Sequence, residues 1–282
     1  MPARDTGLPQ TDAQFDFGRQ RRRRALARLT ARMRLEPSDV NVILPFEEVV
    51  AALGRRGERS IGLQTIPLDS IVGTVDRTTD FDRHFRPTSR RVQQRWERIA
   101  AAERRGQDMP PISVYRIGDL HFVRDGHHRV SVARAQRRKT IDAYVTEVQT
   151  RIGATSGIRL ADLPLKGHER VFLERVPLPP EARAEVRVSD PWDYAKLAEG
   201  VEAWGFRAMQ ERSVFMTREE VAREWYEEEY RPVVAMLRGA GLPLPAGTET
   251  DAYMWVVTER YRLMRTHTWN EGVVERLRRE LR

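Results

Sequence analysis

The chain of 282 residues is basic, with 49 Lys and Arg against 41 Asp and Glu, and its 40% hydrophobic content is enough for one large or two ordinary domains. It contains no cysteine, which excludes disulfide bonds, thiolate metal sites and cysteine catalysis. No apolar run is long enough to span a membrane, and Arg and Asp interrupt residues 1–40, so we expect a cytoplasmic protein without a membrane partner.

The positive charge is concentrated toward the N-terminus. Residues 1–188 carry 35 Lys and Arg against 24 Asp and Glu, whereas residues 189–282 carry 14 against 17. A basic front half suggests a polyanion such as DNA as a partner, bound without regard to sequence. A generally basic protein without such a partner is the alternative.

Residues 1–40 are predicted to form a basic arm that is disordered over residues 1–16 and helical from Arg19 to Arg34. The apolar residues of that helix recur on one face, at Ala25, Leu26, Leu29 and Met33. Either this stripe packs on the body, or the helix contacts DNA. The candidate DNA contacts are Arg21, Arg22, Arg23, Arg24 and Arg28.

Residues 41–150 mix short strand and helix patterns, which predicts an α+β domain. Pro45 to Leu53 and Ser89 to Arg104 have helical spacing. Gly62 to Ile71 and Thr140 to Val148 are typical of strands.

The most informative stretch of this domain runs from 111 to 135. Two apolar runs flank a Gly118-Asp119 turn, which predicts a β-hairpin. After Gly126 the apolar residues change to helical spacing. Gly126 therefore lies where a strand meets a helix N-terminus, a place that suits a phosphate group because backbone N–H groups and the helix dipole face it.

The side chains that follow Gly126 fit the same chemistry. Arg129 would supply a bidentate phosphate donor, and His127 and His128 would supply donors or proton carriers. The alternative is an Asp-Gly turn followed by a helix with exposed polar side chains.

Three motifs occur in a fixed order along this domain: IPLDSI at 66–71, GQDMPPI at 106–112 and GHHR at 126–129. They resemble boxes of the ParB/sulfiredoxin superfamily and cover about residues 60 to 150, a third of the chain. The DGHHR run at 125–129 also resembles a variant in the free-serine-kinase branch. His127 stands where sulfiredoxin needs cysteine, which excludes sulfiredoxin chemistry.

The resemblance implies a small mixed sheet with helices that binds CTP or ATP with Mg²⁺, hydrolyses it slowly and forms a homodimer. Its implied catalytic residues are Asp76, Asp125 and His128, with Asp76 and Asp125 also holding the metal. The implied nucleotide-binding residues are Arg124, Gly126, His127, His128, Arg129 and Gln107.

Three other functions stay open at this point. A small-molecule phosphotransferase fits the DGHHR run, but the catalytic Glu of that branch is missing near position 75. A metal-dependent nuclease could use Asp76, Asp80, Asp82 and His84. A non-catalytic scaffold needs none of these residues.

The remainder of the chain is predicted to be an irregular connection over 151–188 and an all-helical domain over 189–282. A capping box at Thr217 to Glu220 and helical patterns at 251–267 and 271–281 support the helices. We expect five tryptophans to fill the core of this domain: Trp192, Trp204, Trp225, Trp255 and Trp269. No helix-turn-helix pattern follows residue 189.

Overall fold

The computed structural model describes residues 6–155, 157–240 and 247–264, and the chain divides into two compact units, Met1–Leu163 and Pro164–Arg282. The fold is mixed α/β, with a six-stranded sheet followed by a helical region. In the described part of the chain, no helix combines the length and the apolar character needed to cross a bilayer. The predicted helix at 271–281 and Trp269 lie outside the described residues.

Unit 1 is built on the six-stranded sheet, whose strand order is β1-β3-β5-β4-β6-β2. The pairs β1–β3, β3–β5 and β4–β6 are parallel, whereas β4–β5 and β2–β6 are antiparallel. The strands are β1 (Leu44–Pro45), β2 (Arg55–Pro67), β3 (Ile71–Thr74), β4 (Ile112–Ile117), β5 (Leu120–Asp125) and β6 (Thr140–Thr150).

Four α-helices pack around this sheet: α1 (Pro9–Met33), α2 (Phe46–Leu53), α3 (Gln93–Arg104) and α4 (His127–Ala135). Val130 and Ala133 of α4 join Val114 and Val123 of the sheet in one buried core. Val132 on α4 packs into a second cluster with helices α1 and α3. Helix α4 is therefore held from both sides, which makes its N-terminus a rigid point of the fold.

The hairpin predicted around Gly118 is confirmed. β4 and β5 pair antiparallel from Ile117–Leu120 to Ser113–Asp125, and Gly118 has φ +55°. Because β5 ends at Asp125, Gly126 follows the sheet directly and begins the turn into α4.

Helix α1 differs from its prediction in two ways. It begins at Pro9, so the prediction of disorder over residues 1–16 is wrong for the segment from Pro9 onward. Its buried residues lie in the N-terminal half, where Phe17 contacts Trp96 with ring centroids 5.6 Å apart. Of the two alternatives for the apolar stripe, packing on the body is wrong, because the stripe is exposed, with Leu26 at 61% and Met33 at 77%.

Unit 2 is helical, and the segment predicted as an irregular connection over 151–188 contains two of its helices. Its elements are α5 (Leu163–Arg175), α6 (Pro180–Glu185), α7 (Asp193–Arg212), α8 (Arg218–Glu224), a π-helix (Trp225–Tyr230), α9 (Arg231–Ala240) and α10 (Glu249–Met264). The predicted capping box is confirmed, since Thr217 Oγ1 accepts from Glu220 N and the Glu220 carboxylate accepts from Thr217 N. Trp225, Tyr226, Tyr230 and Tyr253 are central to the buried core of this unit.

Candidate functional site

Gly126 has a backbone conformation and a packing environment that only glycine suits. It is the N-cap of α4, with φ +100° in the left-handed region. A Cβ atom here would lie 2.9 Å from Ile112 Cβ and still closer to Ile112 Cγ2. Because glycine has no Cβ, the chain can make this left-handed turn close to β4, and β5 passes into α4 at this residue without a loop.

The N-terminus of α4 opens on a small cavity. The first backbone hydrogen bond of the helix runs from Val130 N to Gly126 O at 3.0 Å, so the N–H groups of residues 127 to 129 lie at the open end of the helix. The cavity has a volume of about 90 Å³, room for about three waters or one phosphate-sized group. Its lining residues are Arg77, Arg95, Ile99, Asp125, Gly126, His127, His128 and Arg129.

His128 lines this cavity with a buried polar atom that is not satisfied. The residue is 8% exposed, and within the described residues its Nδ1 atom has no hydrogen-bond partner. Burial and, after it, the positive charges of Arg95 and Arg77 lower the pKa of His128 to about 4. At neutral pH the ring is therefore uncharged, and Nδ1 is either a donor or an acceptor, depending on the tautomer.

His127 is held in place by contacts with Thr74 and Asp76. Its Nε2 atom lies 2.7 Å from Thr74 Oγ1 and 3.5 Å from Asp76 Oδ1. Burial lowers the pKa of His127 to about 4, although the Asp76 carboxylate opposes the shift. The predicted residues Asp76 and His127 are thus neighbours, and the Asp76 side chain is 62% exposed at the edge of the site.

Two phenylalanines explain why both histidines are uncharged. Phe81 stacks on His127 with ring centroids 6.4 Å apart and meets His128 edge-on at 5.4 Å. Phe85 covers the His127 ring as well. Removing the imidazoles from water in this way disfavours their protonated form.

Arg77 and Arg95 are the charged cavity residues that sequence reasoning did not find. Thr74 Oγ1, which contacts His127, also accepts from Arg77 N at 3.1 Å, and the Arg77 guanidinium pairs with Asp80. The neighbour of Arg95, Trp96, donates from Nε1 to Ser131 Oγ on α4 at 2.8 Å. Neither arginine belongs to a motif, and only the packing of α3 on α4 brings Arg95 to the site.

Arg129, predicted as a phosphate donor, has internal partners. Its guanidinium donates to the carbonyl oxygens of Pro110 and Pro111, the latter at 2.8 Å, and pairs with Asp125 at 2.5 Å. Arg129 therefore ties the loop before β4 to the N-terminus of α4. Its direct contact with a phosphate stays a prediction for its remaining N–H groups.

Two predicted binding residues do not line this cavity. Arg124 lies over the Tyr115 ring, 6.0 Å from its centroid, and is exposed. Gln107 lines a separate polar cavity of about 350 Å³ that shares Arg129 with the first.

Two of the three aspartates considered for a nuclease, Asp80 and Asp82, are occupied by arginine and backbone contacts. Asp82 accepts from Arg86 Nε at 2.8 Å and from the backbone N of His84 at 3.0 Å, and Asp80 pairs with Arg77. In the described part of the chain, no group of three or more His, Asp or Glu is arranged to hold a metal ion.

The candidate DNA-binding arginines lie on α1, away from the Gly126 cavity. Arg21, Arg22, Arg24 and Arg28 line a different cavity, of about 560 Å³. Arg23 does not line it.

Comparison with known proteins adds little to this geometry. No family model matches the chain, and no curated protein matches it. Part of the chain is similar to the crystal structure of sulfiredoxin from Arabidopsis thaliana, at 20% identity over 29% of this chain and 82% of that chain, with a TM-score of 0.21. A TM-score this low supports no conclusion about function, so the site has to be judged on its own residues.

Proposed function

We propose that unit 1 binds a nucleoside triphosphate and that the Gly126 cavity holds one of its phosphate groups. The observation that carries the proposal is a cavity at a helix N-terminus whose lining includes His128, a residue with a buried Nδ1 atom that has no partner among the described residues. An anion there would meet backbone N–H groups, the positive end of the helix dipole and a side-chain donor together.

The charge of the cavity supports an anionic ligand. Arg77, Arg95 and Arg129 contribute three guanidinium groups, and Asp125 is the one carboxylate among the described lining residues. Asp125 pairs with Arg129, and Asp80, outside the lining, pairs with Arg77, whereas no carboxylate of the described residues pairs with Arg95. Both histidines are uncharged at neutral pH and add no charge of their own. The Arg95 guanidinium is therefore the charge that favours an anion in this cavity.

The nucleoside part of the proposal rests on the three motifs that resemble the ParB/sulfiredoxin superfamily, which suggest CTP or ATP. Mg²⁺ prefers one or two carboxylates together with substrate phosphates and several waters. Asp76 and Asp125 fit that donor set, with side chains that are 62% and 67% exposed at the edge of the site. A bound Mg²⁺ would neutralise phosphate charge, and Asp76 would orient a water for slow hydrolysis.

The test is calorimetric titration with CTP, ATP, ADP and GTP in Mg²⁺, using two matched variants on α3. Arg95→Gln removes a cavity guanidinium and should weaken binding by about 1.5–3 kcal/mol. Arg98→Gln removes an exposed arginine of the same helix that does not line the cavity and should bind as the wild type does.

Two results would contradict the proposal: no nucleotide of the panel binds, or Arg95→Gln binds as tightly as Arg98→Gln. A small-molecule phosphotransferase would use the same phosphate site. It is the better description if phosphate from the bound triphosphate appears on an added hydroxyl compound such as serine instead of in solution.

A further inference from the structure

Helix α1, from Gln14 to Arg28, forms one wall of an arginine-lined groove that is separate from the Gly126 cavity. The groove has a volume of about 560 Å³, within the range of ligand sites. Four of its arginines come from α1, and Arg90, from the segment before α3, faces them. Among the described residues that line it there is no Asp or Glu.

The two halves of α1 differ in how their charges are compensated. In the first half, Asp12 and Asp16 lie beside Arg104, and Asp16 also pairs with Arg19. In the second half, no carboxylate of the described residues forms an ion pair with Arg21, Arg22 or Arg28, and the same holds for Arg90, which lines the groove from the segment before α3. These side chains keep their charge and their donors for another molecule.

Arg24 shows that these guanidinium groups are close together. It donates to Thr88 O at 3.2 Å and lies 4.0 Å from Asp82. Burial lowers the pKa of Arg24, Asp82 opposes the shift, and the charges of Arg28 and Arg21 lower the pKa further. Like charges gathered in one groove repel each other, and a bound polyanion would remove that repulsion.

The shape of the groove indicates the kind of anion. Its arginines on α1 run from Arg21 to Arg28, which at about 1.5 Å per residue is about 10 Å along the helix. A single phosphate would meet part of this charged stretch, whereas a row of phosphates would meet all of it.

We propose that this groove binds a linear chain of phosphate groups, supplied by a nucleic-acid backbone or by a free polyphosphate. Arginine suits this ligand because its planar fork contacts two phosphate oxygens at once. The contacts are to phosphate alone, so binding is independent of base sequence. The inference does not depend on the function proposed for the Gly126 cavity.

The test uses two adjacent exposed arginines, of which Arg90 lines the groove and Arg91 does not. Arg90→Glu and Arg91→Glu make the same change in net charge. Fluorescence anisotropy with a labelled random duplex, at several salt concentrations, measures affinity and its salt dependence. Loss of one duplex phosphate contact in Arg90→Glu should flatten the slope of log affinity against log salt by about 0.9, whereas Arg91→Glu should keep the wild-type slope.

Additional measurements identify the source of the phosphates. In direct calorimetric titration, Arg90-dependent binding of inorganic tripolyphosphate without Arg90-dependent binding of the duplex would assign the groove to free polyphosphate, and the reverse result would assign it to nucleic acid. Three results would overturn the proposal: equal slopes for the two variants, no binding of either polyanion, or binding only to phosphatidylserine vesicles. Nucleotide titration of Arg90→Glu should match the wild type, because Arg90 does not line the Gly126 cavity.

Discussion

The aromatic cluster of unit 2 and the histidine pair of unit 1 both bury polar side chains, but these differ in their hydrogen-bond partners. In unit 2, Trp225 Nε1 donates to Tyr253 Oη at 3.1 Å, and Tyr230 Oη lies 2.9 Å from Thr250 Oγ1. In unit 1, His127 has Thr74 as a partner, whereas the Nδ1 atom of His128 is buried without one.

This difference separates a structural core from a binding site. A buried polar group that has its hydrogen bond stabilises the fold, whereas one left without it costs free energy until a ligand or water supplies the partner. The aromatic cluster of unit 2 is therefore expected to contribute stability, and the histidine cavity of unit 1 to contribute binding. Each of the following changes tests one side of that distinction.

The largest effect on stability is expected for Trp225→Ala. The ring is 1% exposed, so its truncation should lower the free energy of unfolding by about 3–5 kcal/mol. Trp192, in the same unit, is 69% exposed, so the prediction that it fills the core is wrong, and Trp192→Ala should change stability by about 0.5 kcal/mol or less. Denaturant unfolding measures both. If Trp225→Ala unfolds normally and loses nucleotide binding, the roles of the two units are reversed.

Gly126→Ala should affect stability and binding together. The left-handed backbone costs about 1–2 kcal/mol with a Cβ, and the contact with Ile112 adds about 1–3 kcal/mol of overpacking. Gly118→Ala is the matched control, because Gly118 also has positive φ but has open space around it. It should destabilise less and keep nucleotide affinity. Equal losses of stability in the two variants would mean that the approach of Gly126 to β4 is unimportant.

Arg129→Ala should weaken nucleotide binding by about 1.5–3 kcal/mol, the range for a hydrogen bond to a charged group. Because Arg129 also holds Pro110 and Pro111, the free energy of unfolding should fall in the same variant. Arg124→Ala removes a nearby arginine outside the cavity and should leave affinity unchanged. Unchanged nucleotide affinity in Arg129→Ala would place the phosphate site elsewhere.

The smallest effect is a pH dependence that originates in His128. Its folded pKa of about 4 lies below the usual 6.5, so the unfolded chain binds more protons between these values. The neutral ring stabilises the fold fully above pH 6.5, and this stability is lost as pH falls toward 4. From pH 6.5 to 5.5 the loss should be about 1 kcal/mol smaller in His128→Gln than in the wild type. Identical pH profiles in urea unfolding would show that His128 is solvated in the folded state.

Local pattern was enough to predict several elements of this fold. The Gly118-Asp119 turn, the change of apolar spacing after Gly126 and the Thr217–Glu220 capping box each depend on residues within a few positions of one another. Such signals come from backbone sterics and helix capping, which act over one or two turns of chain. The junction at Gly126 could therefore be located from the sequence alone.

Which side chains share the cavity with that junction was decided by tertiary structure. Arg95 reaches it because Trp96 on α3 bonds to Ser131 on α4, a contact across 35 positions of sequence. Arg124, next to the motif in sequence, faces the Tyr115 ring instead. The sequence by itself determined where a strand meets a helix, because that depends on short-range geometry. Only the packing of α3 and α4 decided which charges surround the junction, because the walls of a cavity come from residues that are distant in the chain. Apolar periodicity shows that one face of a helix is buried, but it does not show which element covers that face.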